Sequence, residues 1–111
     1  MYEVRKTMEI AVAHRLDLPY QSKCTNVHGH NLEVTVVCRV KDDGLENGMV
    51  VDFSKIKEVV NQYDHSNLNR FLEQPTAENL AKLILEQIPH CTRVEVEETE
   101  GNKAIYEPVY E

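Results

Sequence analysis

The chain has 111 residues, 12 of them basic and 19 acidic, for a net charge of −7 with histidine neutral. That length suits one domain, spanning 1–111, able to bury about two-thirds of its unfolded surface, and the acidic balance without a basic patch argues against a nucleic-acid partner. No apolar run approaches the ~18 residues of a membrane span, and the first six residues lack the apolar core of an export signal, so a soluble, cytoplasmic protein with no membrane partner is expected.

From Tyr2 to Val12 the even positions are mostly apolar (Tyr2, Val4, Met8, Ile10, Val12) and the odd ones mostly polar, with Lys6 as the one discordant residue. A period of two marks a half-buried strand. The stretch Cys24-Thr25-Asn26-Val27-His28-Gly29-His30 follows, and then a second alternating run in which Leu32, Val34, Val36, Cys38 and Val40 share one side. Asp42 to Gly48 carries the Gly, Asp and Asn of a turn.

Asp52 or Ser54 can cap a helix whose apolar face is Ile56, Val59, Val60 and Tyr63. A second helix begins at Pro75-Thr76-Ala77-Glu78, capped by Thr76 and striped by Leu80, Leu83, Ile84 and Ile88, with Pro89 stopping it. Two last strands, Thr92 to Glu98 and Ala104 to Tyr110, turn through Glu100-Gly101-Asn102. The sum is an α+β domain, an antiparallel sheet with two helices on one face.

His14 continues the even series of the first strand if that strand persists, and His28 and His30 are in phase with Leu32 and Val34. Three imidazoles on the apolar face at one end of a sheet need hydrogen bonds or a cation for their ring nitrogens. Three neutral nitrogen ligands without a fourth protein ligand make the open arrangement of a catalytic Zn²⁺, which keeps one position for water or a substrate oxygen. A plainer alternative has His14 as a satisfied core or edge histidine and the other two in a polar turn. Cys24 as a fourth ligand would instead close a structural site, and spacing leaves each of these open.

Asp64-His65 sits just beyond the first helix, where a carboxylate beside an imidazole can fix its tautomer for proton transfer. Glu98 shares the parity of Val94 and Val96, so either the strand frays there or a ligand with two adjacent N–H donors meets the carboxylate. Three cysteines make no disulfide framework. Cys38 reads as a core thiol, Cys91 has no evident partner, and Cys24, in a loop beside the histidines, is placed to be a base or nucleophile if a cation lowers its pKa. His90, between Pro89 and Cys91, reads as a surface residue.

In order along the chain, Ala13-His14-Arg15-Leu16, the Cys24-x3-His28-Gly29-His30 element, Val51-Asp52-Phe53, Asp64-His65 with Leu68-Asn69, Pro75-Thr76-Ala77-Glu78-Asn79, and Glu98-Thr99 followed by Ala104-x-Tyr106 resemble the 6-pyruvoyl-tetrahydropterin synthase / 6-carboxytetrahydropterin synthase family. The resemblance implies a tunnelling fold (T-fold) with a four-stranded antiparallel sheet and two helices, assembled as a homohexamer, a dimer of trimers with active sites between subunits. It further implies that His14, His28 and His30 bind Zn²⁺, that Cys24 and the Asp64-His65 pair carry protons, and that Glu98 holds the 2-amino and ring N–H edge of a pterin. The implied substrate is 7,8-dihydroneopterin triphosphate. The three-residue gap before His28 resembles the branch that cleaves the side chain to give 6-carboxy-5,6,7,8-tetrahydropterin, acetaldehyde and triphosphate, on the route to queuosine and other 7-deazaguanines.

A 6-pyruvoyl-tetrahydropterin synthase or another pterin-side-chain lyase of the same fold is the alternative within the family; a structural zinc-binding module or a metal-free interaction domain is the alternative outside it. Lys23 and Arg15 are the nearest cations for the triphosphate, and each can equally be a solvated surface charge.

Overall fold

The computed structural model of the chain describes residues 1–109. Strand β1 runs Tyr2–His14 and β2 runs His28–Val40, paired antiparallel from Tyr2↔Val40 to His14↔His28. Helix α1 is Phe53–Asn61, β3 the two-residue Ser66–Asn67, and α2 Ala77–Leu85; β4 (Cys91–Thr99) and β5 (Asn102–Tyr106) complete the order. They form one five-stranded sheet, β3-β1-β2-β4-β5, with β3 parallel to β1 and every other pair antiparallel. The four long strands are those expected from alternation. The fifth is too short to carry a periodic pattern, and only its pairing with Val12 and Ala13 reveals it.

The even face of the sheet is the core face. Ile10, Val12, Leu32, Val34, Val36, Val94 and Val96 are buried there against Ile56, Val59 and Val60 of α1 and Leu80, Ala81 and Ile84 of α2. Burying such side chains contributes about 1.5–3 kcal/mol each. The odd face stays polar: Thr7 and Thr35 share a hydrogen bond of 2.9 Å across the strands, and Arg93 and Lys103 flank the Glu95 carboxylate at 2.9 and 3.0 Å. Those two cations hold Glu95 below the ordinary carboxylate range, Arg93 foremost.

Asp52 caps α1 by accepting from Ser54 N–H at 2.8 Å, and Thr76 caps α2 by accepting from Asn79 N–H at 3.1 Å. Both helices end earlier than their apolar stripes. Tyr63 and Ile88 are buried from the turns that follow, and α2 stops at Leu85, well short of Pro89, where the Glu86 N–H tightens onto the Lys82 and Ile84 carbonyls. The last strand likewise ends at Tyr106 and not further along; Tyr110, in the expected strand, lies outside the described residues. No helix among the described residues is long and apolar enough to cross a membrane.

Candidate active site

The alternation of β1 persists to its last residue, and β2 starts at His28, so His14 and His28 face each other directly across the ladder while His30 lies two residues along on the same face. Direct and diagonal positions on one face of an antiparallel pair lie within side-chain reach. The three rings accordingly stand edge to face, with centroids 4.6, 4.9 and 4.7 Å apart. One ring nitrogen from each lies within 4.8 Å of the others, a cluster able to hold a metal ion. The glycine between them is not what makes this possible: a Cβ on Gly29 would meet only the Val12 carbonyl, at an ordinary 3.6 Å.

Backbone carbonyls orient two of the rings. His14 donates from Nδ1 to the Pro75 carbonyl at 2.6 Å, and His28 donates from Nδ1 to the Asn26 carbonyl at 2.7 Å. A carbonyl only accepts, so these bonds put a proton on Nδ1 and leave Nε2 as the ring nitrogen available to a ligand. Burial pushes His30 below the ordinary imidazole value, and its histidine neighbours push the same way, against a raising effect from Glu98. Three ring nitrogens this close together can share a cation, and nitrogen donors suit Zn²⁺. The residues present therefore fit a divalent metal.

A cavity of about 350 Å³ opens over this cluster, lined by His14, Leu16, Lys23, Cys24, His28, His30 and Glu98. Cys24 is carried there by a single 3₁₀ turn, Lys23–Thr25, begun by Ser22, whose hydroxyl accepts from the Cys24 N–H at 3.2 Å. It borders the cavity, while the cluster of potential ligands comprises the three histidines. Among the described residues Lys23 is the one cation on the cavity wall; Arg15 is exposed and not part of it.

Glu98 keeps the parity of Val94 and Val96, the face that carries the histidines, and it also falls at an irregularity of the sheet. In the β4–β5 ladder Glu97 pairs with Lys103 and Thr99 with Asn102, so Glu98 is an extra, bulged residue. A bulge locally bends the strand and increases its twist. Glu98 also lines a second cleft of about 480 Å³ together with Leu16, Thr76, Glu78, Asn102 and Lys103, and so joins the two spaces.

Asp64 and His65 lie elsewhere. His65 Nδ1 sits 2.9 Å from Asp64 Oδ1, which also accepts from the Ala11 N–H at 2.8 Å; the His65 N–H returns to the Ala11 carbonyl at 2.7 Å, with His65 at φ 58°. The Ala11 bond and then the His65 bond hold the Asp64 carboxyl below its usual range. The pair therefore marks the outer edge of β1, and neither residue lines the histidine cavity of its own chain. His90 is exposed. Cys38 and Cys91 are buried opposite one another across β2 and β4, and the hydrogen bond between the two thiols pushes Cys38 up and Cys91 down.

Residues 3–109 match the protein family described as 6-pyruvoyl tetrahydropterin synthase. The chain is 37% identical to the 6-carboxy-5,6,7,8-tetrahydropterin synthase of Synechocystis sp. over 121 residues, covering 96% of this chain and 93% of that protein. It is 33% identical to the protein of the same name from Bacillus subtilis over 127 residues, covering 96% and 86%. The solved structure of Caenorhabditis elegans 6-pyruvoyl tetrahydropterin synthase is similar at a TM-score of 0.76 and 28% identity, over 97% of this chain and 96% of that one.

Proposed function

This chain belongs to the 6-pyruvoyl tetrahydropterin synthase family, and on that premise we propose that it is a 6-carboxy-5,6,7,8-tetrahydropterin synthase, a single-domain lyase that converts 7,8-dihydroneopterin triphosphate and one water to 6-carboxy-5,6,7,8-tetrahydropterin, acetaldehyde and triphosphate. The product would feed queuosine and other 7-deazaguanines. The observation that carries the reading is the meeting of three imidazoles, a thiol and a carboxylate around one cavity.

His14, His28 and His30 are proposed to hold Zn²⁺, which when bound supplies Lewis-acid polarisation of the substrate's side-chain oxygens. Cys24 takes a proton from the substrate side chain, and His65, its tautomer set by Asp64, handles a second. Glu98 accepts two adjacent N–H groups of the pterin edge, a charge-assisted bidentate contact. A ring seated in the larger cleft against Glu98 leaves its side chain directed toward the histidines, because Leu16 and Glu98 border both spaces. Lys23, at the cavity wall, is placed for a phosphate.

Since Asp64 and His65 do not line their own chain's cavity, they are proposed to serve that of a neighbouring subunit in a homohexamer built as a dimer of trimers. Two features support this assembly. Among the described residues β3 pairs with β1 only at Val12 and Ala13, and β5 ends the sheet, so both margins offer strand edges that ring closure would satisfy. Incubation with dihydroneopterin triphosphate tests the activity. Acetaldehyde and triphosphate in equal amounts, with about one Zn²⁺ per chain that chelation removes together with activity, are expected. Triphosphate without acetaldehyde assigns the pyruvoyl product instead.

A further inference from the structure

His14 ends β1, and beyond it no strand among the described residues continues the ladder on the β3 side. The next three residues nevertheless bond alternately to left and right, as residues of an inner strand do. Arg15 donates its N–H to Asn69 Oδ1 at 2.9 Å and its carbonyl accepts from Asn69 Nδ2 at 3.1 Å. Asp17 repeats this with Gln74, donating to Oε1 at 2.9 Å and accepting from Nε2 at 3.0 Å. Leu16, between them, turns its N–H the other way, to the Cys24 carbonyl at 2.6 Å.

A carboxamide offers a donor and an acceptor in one plane, as a peptide group does. Asn69 and Gln74 thus act together as the missing neighbour strand. Each is anchored in turn. The Asn69 N–H donates to Asn67 Oδ1 at 3.0 Å beside β3, and the Gln74 carbonyl accepts from Asn79 Nδ2 at 2.8 Å at the start of α2. The residue after Gln74 is Pro75, whose carbonyl orients the His14 ring.

We propose that Asn69 and Gln74 are positioning residues whose carboxamides hold Arg15 to Asp17 extended, so that Leu16 fixes Cys24 at the mouth of the histidine cavity. The inference rests on the proposed role of Cys24 and is independent of which pterin product is made.

The test uses Asn69→Ala and Gln74→Ala, together with Asn69→Asp and Gln74→Glu, which keep an acceptor for the backbone N–H and lose the donor. Metal-free protein is pulsed with iodoacetamide and the modification read at each cysteine by mass spectrometry. Cys38 and Cys91, being buried, report any general loosening of the fold. Cys24 alone should react faster, by about threefold or more in the alanine variants and less in the Asp and Glu variants. In zinc-loaded protein kcat should fall by about tenfold or more, with KM moved far less, because the misplaced group acts on the chemical step.

An unchanged Cys24 rate overturns the proposal, and so does equal acceleration of all three cysteines, which would mark a purely structural role. Should an alanine variant not fold, the Asp and Glu variants decide. If the parent protein does not turn over the pterin, the alkylation rates still decide the positioning role, and the functional reading fails alone.

Discussion

Cys24 borders the metal cluster without belonging to it, so removing its thiol should separate metal retention from chemistry. Cys24→Ala is expected to bind zinc at parent stoichiometry and to lose about 10²- to 10⁴-fold in kcat, the range for a positioned proton-transfer group. Elemental analysis beside turnover rates checks it; a variant that cannot retain metal would restore the closed site. Asp64 offers a pH test. Its carboxyl is held low by the Ala11 N–H and then by His65, so the stabilisation is complete above the unfolded value near about pH 4 and is lost as pH falls through the lower folded value. Asp64→Asn keeps an oxygen for Ala11 and loses the charge. Its stability deficit in urea melts should be present at neutral pH and vanish in strong acid; a deficit constant with pH would show that the charge is irrelevant. Alternation made the three histidines legible because parity is a local property. The same parity set Glu98 on the face of the histidines, whereas the bulge there was not legible, since it is set by the register of two strands and not by its own segment.

Strand pairing exposes a conflict that no single element contains. Glu33 lies directly opposite Glu9 on one side and Glu97 on the other, a row of three carboxylates across β1, β2 and β4. Like charges directly opposite destabilise a sheet by a few tenths to about 1 kcal/mol. Glu33→Gln should therefore raise the melting temperature of the chain by about 2–4 °C, from a gain of about 0.5 kcal/mol. Calorimetry at low salt checks it, and an unchanged or lowered value would mean the row is already compensated. The helix starts were legible from Asp52 and Thr76, because a cap is a local hydrogen bond. The helix ends were not: Tyr63 and Ile88 keep the apolar stripe going after the backbone has left the helix, and packing, not propensity, buries them.

At the scale of the whole molecule, the cavity with Cys24 and the edge with His65 belong to different places on one chain. If subunits share sites, two inactive variants should rescue each other. Cys24→Ala and His65→Ala, unfolded together and reassembled at equal amounts, should regain about a quarter of parent activity, the fraction of heterologous interfaces that receive both intact groups by chance. No recovery would place both groups in a single subunit. The α+β layout with its helix-covered face was readable from periodicity, whereas the proposed sharing of the site between subunits was not, because amphipathic patterning records which side is dry and says nothing of what a sheet margin meets. One consequence follows from the carbonyls of Pro75 and Asn26 that fix the His14 and His28 rings. Every amino acid supplies such an oxygen, so substitutions at positions 26 and 75 leave the acceptor chemistry in place. Drift at these two codons can alter ring orientation only by rerouting the main chain, which makes the ligand geometry a property of the chain's path more than of its spelling.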